Sequence, residues 1–378
     1  MALNDNQRPT ASYIDLDALA FNFHSSKEFI GDIRCLAVVK ADAYGHGAIE
    51  CSRRLVAEGV DWLGVALPEE GVELRRAGIN APILCLGSFW AGQEEVLFEN
   101  ELTPVVVDLA AAASLSKLGG ERGRTVDVHV KIDTGMRRLG VDWRDAADFV
   151  QALKSLPNIR VTGLMTHFAS AENPDEAEFT ALQIERFGEV CDIFRGAGFE
   201  PEWIDLANSP AAFAHPASRG NLVRLGGALY GLLDDILPPE TKRPELKPVL
   251  SLRSQIAHVR RVPAGETLGY GRTFTTERDS LIALVPVGYA DGYPRGLSNN
   301  ASACVNGQLA PVVGRISMDW TLLDVTDVPN VAQNTDVFLI GGDGPNDVKA
   351  VDLAKHLGTI GYEITCGISR RVPRVYLK

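Results

Sequence analysis

The sequence predicts a (β/α)8 TIM-type barrel followed by a mainly antiparallel β domain. The chain has 378 residues, about two and a half times the ~150 residues of a typical domain, which favours two domains. Through the first ~230 residues, eight short apolar runs alternate with amphipathic stretches, the pattern of βα units. Beyond about residue 240, β-branched runs follow one another closely and are separated by Gly, Pro and Asn–Gly, as in antiparallel sheets.

Eight apolar runs are predicted as the strands of the barrel, which they match in number and in the length of chain they occupy. They are Cys35–Val39, Trp62–Leu67, Pro82–Leu86, Thr103–Val107, Val126–Ile132, Arg160–Met165, Trp203–Leu206 and Leu222–Leu225. Helices are predicted between them, at His46–Glu58, Pro68–Ala77, Ala91–Asn100, Leu109–Leu118, Trp143–Leu153 and Pro174–Arg195. A doubly wound open sheet usually has fewer strands, and the sequence carries neither a GxGxxG nor a GxxxxGK[ST] motif.

The Pro-rich and charged segment Pro238–Lys247 is predicted to link the two domains, with the barrel at residues 1–240 and the β domain at residues 241–378. The β domain has six predicted strand runs: Val249–Val262, Leu281–Val287, Ala303–Val305, Leu309–Val313, Thr321–Val325 and Asp336–Ile340. Asn306–Gly307 predicts a tight hairpin between the third and fourth runs. The only clear helix predicted here is Val348–Leu357.

The composition excludes several classes of protein. The formal net charge of −12 disfavours nonspecific binding to nucleic acid or to an anionic membrane surface. No run approaches the ~20 apolar residues of a membrane helix, and the first residues lack the apolar core of a signal peptide. The six cysteines are scattered without a CxxC pair, which suits free thiols in a reducing cytoplasm. We therefore expect a cytoplasmic protein with no metal site and no nucleic-acid or membrane partner.

Polar side chains stand at the carboxyl ends of the predicted barrel strands, where the βα loops of barrel enzymes gather. They are Lys40, Lys131, His167, Asn208, Ser209 and Arg224. Several are cationic, and cations cannot be buried cheaply without partners. These positions therefore predict a site for an anionic ligand.

Lys40 follows four apolar residues and is the first candidate for chemistry. A partly desolvated lysine has a lowered pKa and can act as a base or form a Schiff base. The ordinary alternative is a lysine that ends a strand and reaches solvent. The adjacent Tyr44–Gly47, with its two glycines, favours a backbone held close to a ligand.

The ends of the seventh and eighth predicted strands favour a phosphate, because barrel enzymes frequently bind one there. Ser209 offers a hydroxyl and Gly226–Gly227 offers backbone N–H groups, although an ordinary turn would have the same composition. Arg224 would point into the same mouth, where a hydrogen bond with His167 would keep that imidazole neutral.

Two further groups of residues have both a structural and a functional interpretation. In KIDTGMRRLG, one strand end carries Lys131, Asp133, Arg137 and Arg138. They form either a structural ion-pair cluster or a site where an arginine holds a carboxylate bidentately. Four tyrosines directly follow a glycine, which suggests rings presented by open loops. They are Tyr270, Tyr289, Tyr293 and Tyr362.

Taken together, these motifs resemble the alanine racemase family, whose members are pyridoxal-phosphate (PLP) enzymes with a barrel and a β domain. AVVKADAYGHG resembles the family's PLP-lysine signature, and the resemblance runs from about Tyr13 to Tyr376. The other matching segments follow in the family's order: KIDTGMRRLG, GLMTHFASAE, LANSPA, VRLGGALYGL, LGYGRTF, VGYADG, GRISMD and GYEITCGISRRVPR. A single match would be weak, but the ordered set is specific.

The resemblance implies which residues hold the cofactor. Lys40 would bind PLP covalently and serve as one catalytic base, and Arg224 would face the pyridine nitrogen. The residues implied to contact PLP are Lys40, Tyr44, His167, Asn208, Ser209, Arg224, Gly226, Gly227 and Tyr362. Among them, the phosphate would be held by Tyr44, Ser209, the Gly226–Gly227 backbone and Tyr362.

The resemblance also implies a substrate site. Arg138 would grip the substrate carboxylate, assisted by the Met318 backbone, and Asp319 would have a supporting role. Lys131 matches a lysine that is often carbamylated in the family, which would give it an anionic group to orient Arg138.

Tyr270 is implied to be the second catalytic base, contributed across a homodimer interface to the partner's barrel, where His167 would support it by a hydrogen bond. Tyr289 and Tyr362, together with Arg295 and Arg315, would line the substrate entrance. Three positions depart from the family's usual residues without removing a needed chemical group: Asp42, Arg137 and Gly227.

The implied function is PLP-dependent interconversion of L-alanine and D-alanine by two-base proton transfer, supplying D-alanine for peptidoglycan. A racemase of serine or of several amino acids is an alternative on the same scaffold. A PLP barrel decarboxylase is less favoured, because it should carry a cysteine-containing catalytic loop and acidic residues for a distal amine. PLP carrier proteins share the barrel but lack the β domain.

Overall fold

The computed structural model describes residues 8–234, 236–342 and 344–378. Its strands are β1 Ala11–Asp15, β2 Arg34–Val38, β3 Trp62–Val65, β4 Ile83–Cys85, β5 Thr103–Val106, β6 Val126–Asp133, β7 Val141–Asp142, β8 Ile159–Met165, β9 Trp203–Asp205, β10 Leu222–Leu225, β11 Leu250–Gln255, β12 His258–Val262, β13 Thr267–Leu268, β14 Phe274–Thr275, β15 Ser280–Val285, β16 Ser302–Val305, β17 Gln308–Pro311, β18 Thr321–Asp324, β19 Asp336–Ile340 and β20 Arg374–Leu377. Its helices are α1 Leu16–Ile30, α2 Lys40–Tyr44, α3 Ala48–Ala57, α4 Pro68–Arg76, α5 Glu94–Glu99, α6 Leu109–Glu121, α7 Ala146–Leu153, α8 Ala177–Gly196, α9 Ser209–Ala214, α10 Ala350–Leu357 and α11 Gly361–Cys366.

Eight parallel strands close into a barrel in the order β2, β3, β4, β5, β6, β8, β9, β10, with β10 pairing back onto β2. Each of the eight predicted strands is confirmed, with bounds within two residues of those expected. The barrel interior is filled by apolar side chains of these strands, including Leu36, Met165 and Trp203. Parallel strands buried on both faces produce near-continuous aliphatic runs, which explains why the sequence marks them clearly.

The helical layer of the barrel begins before its first strand. The last barrel strand, β10, leads into a short 3-10 turn at Gly227–Tyr230, and α1 packs beside this turn. Asn22 of α1 is buried, and its Nδ2 donates to the carbonyl oxygens of Leu229 (3.0 Å) and Lys247 (2.7 Å). Helix α1 was not predicted, although its N-cap is visible in the sequence: the Asp15 side chain accepts the Ala18 N–H at 2.8 Å.

The β domain contains a six-stranded sheet in the order β17, β16, β19, β11, β1, β20, together with a three-stranded and a two-stranded sheet. All pairs are antiparallel except β1 with β20, so the mainly antiparallel class is confirmed. Strand β1 lies inside this sheet, beside β11, although the sequence placed it in the barrel segment. The division at residue 240 stays a prediction.

Two expectations for the β domain are corrected. The run Val249–Val262 is not one strand, because it leaves the six-stranded sheet after Gln255 and continues as β12 in the three-stranded sheet. A second helix, α11, follows α10 and carries Tyr362 towards the barrel. The hairpin at Asn306–Gly307 is confirmed, with β16 and β17 pairing on either side of it.

A large cluster of buried apolar side chains continues from the barrel helices into the β domain, so the two parts share a packed core. A hydrogen bond also joins the two parts, since Arg374 Nε of β20 donates to the Gly45 carbonyl at 3.2 Å. Among the described residues, none of the helices has both the length and the apolar composition required to cross a bilayer.

Candidate active site

The carboxyl ends of the barrel strands surround a cavity of about 520 Å³. Side chains from barrel strands, the loops that follow them and α11 meet there, because the carboxyl ends of parallel barrel strands lie at one face. The sequence-predicted site residues that line it are Lys40, Tyr44, Lys131, Arg138, His167, Asn208, Ser209, Arg224, Gly226, Gly227 and Tyr362. Residues widely separated in the chain therefore form one site.

Lys40 leaves the barrel at a turn of left-handed backbone. Residues 41–44 all have φ between 53 and 55°, a conformation that costs L-residues roughly 1–2 kcal/mol each. Side chains stabilise it: His46 Nδ1 donates to two carbonyls of the turn at 2.9 and 3.0 Å, and Asp42 Oδ1 accepts the Ala48 N–H at 2.8 Å. Burial lowers the pKa of His46 to about 4, so the ring is neutral. The turn thus fixes where the Lys40 side chain enters the cavity.

The glycines beside this turn have a packing role. A Cβ on Gly45 would lie 2.1 Å from the Thr365 carbonyl oxygen, and a Cβ on Gly47 would lie 1.9 Å from the Tyr376 hydroxyl. The expectation that they bring the backbone close to a ligand stays a prediction. They let the left-handed turn lie against the β domain.

The cavity is rich in positive charge. Burial, with a further contribution from Arg138, lowers the pKa of Lys40. Lys131 is 6% exposed, and burial together with Arg224, Arg138 and Lys40 lowers its pKa to about 8. A lysine with a lowered pKa has more of the neutral, nucleophilic amine at neutral pH.

A cradle of small and hydroxyl-bearing residues forms one wall of the cavity. Ser209 Oγ accepts the Gly226 N–H at 2.8 Å, which leaves the serine hydroxyl proton free to donate. The Gly226 N–H thus has a protein acceptor here, and its role in binding a phosphate stays a prediction. The Gly227 N–H has no protein acceptor among the described residues. The Tyr44 and Tyr362 rings lie 5.3 Å apart, edge to face, beside these groups.

Arg224 forms the floor of the cavity and is 3% exposed. Its Nη2 donates to the carbonyls of Thr166 (2.9 Å) and Leu206 (3.1 Å) and to His167 Nδ1 (3.1 Å). Its Nη1 donates to the carboxylate of Asp205. The expected bond between Arg224 and His167 is confirmed. Burial and Arg224 lower the pKa of His167 well below its ordinary value, so the imidazole is neutral.

The two neighbouring arginines of the KIDTGMRRLG segment are used differently. Arg138 lines the cavity. Arg137, in left-handed conformation at φ 58°, is half exposed and forms an ion pair with Asp142. Asn208 also has a local role, because its Oδ1 accepts the Ala211 N–H at 3.0 Å and so caps α9.

Several of the predicted residues, including the exposed Arg295 and Arg315, lie outside the cavity of their own chain, in loops of the β domain. Tyr270 is 72% exposed, Tyr289 42% and Met318 53%. Tyr289 and Met318 are held together by backbone bonds, since the Ala290 N–H donates to the Met318 carbonyl at 3.0 Å. Asp319 forms an ion pair with Arg371 at 2.7 Å.

The cavity includes residues that the sequence did not single out. Glu172 and Cys366 line it, and Asp205 lies beneath Arg224. Cys366 falls within the GYEITCGISRR segment, so its proximity to Tyr362 was available from the sequence. Asp205 lies within the predicted strand Trp203–Leu206, next to its end, and its polarity at that position was the available signal.

Known proteins match this chain over nearly its whole length. The family model described as the alanine racemase N-terminal domain matches residues 14–234, and that of the alanine racemase C-terminal domain matches residues 249–376. The alanine racemase of Halothermothrix orenii is 44% identical, covering 98% of this chain and 97% of the relative.

Solved structures of alanine racemases also match this chain over nearly its whole length. An alanine racemase from a D-cycloserine-producing Streptomyces lavendulae superposes with a TM-score of 0.92 at 35% identity, covering 99% of this chain and 98% of that one. The alanine racemase of Bartonella henselae, described with covalently bound pyridoxal phosphate, gives a TM-score of 0.87 at 29% identity, covering 98% and 100%.

The barrel, the antiparallel domain and these relatives define an isomerase of the amino-acid racemase class. The chain belongs to the alanine racemase family.

Proposed function

We propose that this protein interconverts L-alanine and D-alanine with PLP as cofactor, by proton transfer between two bases, and that it supplies D-alanine for peptidoglycan. The observation that carries the proposal is the meeting of Lys40, Arg224 and the glycine-serine cradle in one cavity. A lysine amine, a cation at the cavity floor and a set of hydroxyl and N–H donors are the three elements that PLP requires.

The cradle fits a phosphate group. Ser209 retains a hydroxyl proton, Gly227 has an N–H without a protein acceptor among the described residues, and Tyr44 and Tyr362 place their rings beside them. Phosphate binding by backbone and hydroxyl donors near the last strands is common in barrel enzymes. We propose that these groups, with the capping residue Asn208, hold the PLP phosphate.

Arg224 fits the pyridine ring. Its Nη1 and Nη2 groups are engaged by protein acceptors, whereas its Nε–H has no acceptor among the described residues. We propose that this remaining donor faces the ring nitrogen. A guanidinium does not lose its proton in proteins, so it leaves that nitrogen unprotonated.

PLP, when bound through Lys40, supplies an electron sink for the electrons left behind when the α-proton departs. Lys40 is proposed to hold the cofactor and to move the proton on one face of the substrate. Its lowered pKa supports this, because a neutral amine is the form that accepts a proton.

Tyr270 is proposed to move the proton on the other face, in the site of a second copy of the chain. Its 72% exposure and its distance from its own cavity support a role in a homodimer. The neutral His167 is proposed to donate a hydrogen bond to the partner's Tyr270. Tyr289 and Tyr362, with Arg295 and Arg315, are proposed to line the substrate entrance.

Arg138 is proposed to bind the substrate carboxylate, with the Met318 backbone assisting from the second copy and Asp319 supporting that loop. The Met318 N–H has no protein acceptor among the described residues. Lys131, whose pKa is lowered to about 8, is proposed to be carbamylated and to orient Arg138. A carbamate forms from a neutral amine, which the lowered pKa provides.

The chain is proposed to divide at residue 240 into the barrel that holds the cofactor and the β domain that contributes Tyr270. The family models, whose boundaries fall at residues 234 and 249, support this division. We place the reaction in the cytoplasm, and the six unpaired cysteines support that location.

The cofactor is tested by loading the purified protein with PLP and treating it with borohydride. The wild type should show a visible absorption band that borohydride abolishes, with the cofactor attached to the Lys40 peptide. Lys40→Ala should lose both signals, whereas Lys117→Ala, at a lysine 79% exposed on α6, should retain them. Cofactor that remains reducibly linked in Lys40→Ala would contradict the assignment.

The reaction is tested by chiral analysis of alanine, serine and arginine after incubation with the loaded enzyme. Alanine should racemise fastest, and faster turnover of serine or arginine would change the substrate assignment.

Deuterium exchange at Cα of alanine distinguishes the two bases: Tyr270→Phe should lose exchange on one alanine enantiomer only. Unchanged exchange on both enantiomers would remove Tyr270 from the mechanism.

A further inference from the structure

Asp205 is a buried acid that none of the roles above uses. It ends β9, is 0% exposed, and its Oδ1 accepts the Nη1 group of Arg224. Its Oδ2 is also buried and has no hydrogen-bond partner within residues 8–234, 236–342 and 344–378. A carboxylate buried with one oxygen unpaired costs stability. The fold nevertheless keeps an acid at this position.

Asp205 is one of several groups that bind the Arg224 guanidinium. Asp205 engages Nη1, while the carbonyls of Thr166 and Leu206 and the imidazole of His167 engage Nη2. The guanidinium is planar, so fixing both Nη groups also fixes the direction of the Nε–H. Asp205 supplies the one anionic contact among these acceptors.

The other titratable groups around this pair come from four elements. They are Lys40 on α2, His129 and Lys131 on β6, Arg138 in the loop after β6, and His167 in the loop after β8. Both imidazoles are neutral, because burial lowers the pKa of His129 to about 3 and that of His167 well below its ordinary value. Tyr44 also faces Arg224, and Glu70 on α4 and Cys366 on α11 face Lys40. Lys40, Arg138 and the unmodified Lys131 are the neighbouring cations. Among the groups bonded to Arg224, Asp205 supplies the negative charge.

We propose that Asp205 is a positioning residue that holds the Arg224 guanidinium in place and offsets its charge, so that the ring nitrogen of the cofactor meets a neutral ion pair. The inference rests on the proposed function, since it needs PLP above Arg224. It adds a determinant of the electrostatic field around Lys40 and the site that would hold the cofactor.

Asp205→Asn removes the negative charge of the side chain and keeps nearly the same shape. Asparagine retains an oxygen that can accept from Nη1, but it leaves the charge of Arg224 uncompensated. Added positive charge favours deprotonation of the Lys40 nitrogen linked to the cofactor. The pH midpoint of the absorption change of bound PLP should therefore fall by about one unit. The affinity for the anionic cofactor should be unchanged or higher, because the site becomes more positive.

Asp127→Asn is the matched control. Asp127 on β6 binds Arg160 on β8 through both oxygens, each at 2.5 Å, at the amino ends of the barrel strands. It is thus another aspartate–arginine pair between neighbouring barrel strands, far from the cavity. Its absorption titration and PLP affinity should match those of the wild type.

The decisive experiment titrates the visible absorption of PLP-loaded wild type, Asp205→Asn and Asp127→Asn, with PLP affinity measured by fluorescence. A lowered midpoint with retained affinity in Asp205→Asn alone supports the inference. If folded, PLP-loaded Asp205→Asn has the same pH midpoint as the wild type, the inference is overturned. A tenfold loss of PLP affinity without a shift of the midpoint also overturns it, because Asp205 would then have a purely structural role. If circular dichroism shows that Asp205→Asn is not folded, the same measurements are made on Asp205→Ser.

Failure of both neutral variants to fold would also overturn the inference, because Asp205 would then serve folding. If the proposed function is wrong, the experiment gives a different result. In that case the wild type itself would show no PLP band that borohydride abolishes, which overturns both proposals together.

Discussion

Gly227 and Tyr362 are in direct contact across the join between the barrel and the β domain. A Cβ on Gly227 would lie 2.1 Å from the Tyr362 hydroxyl oxygen and 2.5 Å from the ring carbon that bears it. The β domain thus forms one side of the proposed phosphate cradle through α11, and the absence of a side chain at Gly227 gives the tyrosine its place.

Gly227→Ala should displace the Tyr362 ring and weaken PLP binding. Overpacking of this kind costs about 1–3 kcal/mol, so we expect a loss of affinity of roughly tenfold or more, measured by fluorescence titration. Gly188→Ala is the control, because nothing lies within 4 Å of the added Cβ there. That change on α8 should stabilise the fold by about 0.5–1 kcal/mol through helix propensity. Equal PLP affinity in Gly227→Ala would argue against the cradle.

Arg138→Ala should impair substrate binding far more than Arg137→Ala. Arg138 lines the cavity, whereas Arg137 is paired with Asp142 on the surface. Loss of hydrogen bonds to a charged carboxylate costs about 2 kcal/mol, or roughly 30-fold in kcat/KM for alanine. Steady-state kinetics of the two variants provides the comparison. A larger loss in Arg137→Ala would reverse the assignment.

Lys131→Met should stabilise the apo-protein at pH 7 in bicarbonate-free buffer. The pKa of Lys131 is lowered from 10.5 to about 8, so the folded state binds this proton less tightly than the unfolded state does. The resulting penalty is fully present below pH 8 and disappears as the pH rises through 8 to 10.5. The gain should therefore be about 3 kcal/mol at pH 7 and much smaller at pH 10.

Urea unfolding at the two pH values measures this difference. Lys117→Met, at a side chain that is 79% exposed, should show no comparable pH-dependent gain. Destabilisation by Lys131→Met at pH 7 would mean that a contact of this side chain outweighs the penalty of burying its charge.

Asp291→Asn should destabilise the β domain. The Asp291 side chain is fully buried, and its two oxygens accept from Arg8 at 2.6 and 2.9 Å and from the Gly288 N–H at 3.0 Å. The change leaves the Arg8 guanidinium, which is 28% exposed, without its anionic partner, so unfolding should become easier by about 2 kcal/mol. Asp327→Asn, in an exposed pair with Arg278, should leave the urea midpoint unchanged. Equal midpoints for both variants would contradict this reasoning.

The barrel was predictable because its strands carry their own signal. Each is a short aliphatic run that is buried on both faces, as for Ile83–Cys85, and each is separated from the next by helical sequence. The prediction of Val249–Val262 as a single strand was wrong for the opposite reason. No Gly or Pro marks the break at Ile256, where the backbone N–H donates to Thr335, a residue distant in the sequence.

The candidate site was predictable where a residue ends a barrel strand, as for Lys40 and Arg224. The direction of a side chain was not predictable in this way. Arg137 and Arg138 have the same chemistry, and only the left-handed conformation of Arg137 directs it to Asp142. Asp205 went unnoticed because a strand-end aspartate gains meaning only from the arginine it meets on the next strand of the barrel.

The position of β1 between β11 and β20 has a consequence for how the chain folds as it is made. Synthesis proceeds from the N-terminus, so residues 11–15 emerge before the barrel strands, whereas their partners at residues 250–255 and 374–377 emerge after them. The barrel strands can pair in turn as they leave the ribosome, whereas this strand must wait. Because unpaired strand edges promote aggregation, Ala11–Asp15 is the segment that a chaperone would have to shield longest during translation.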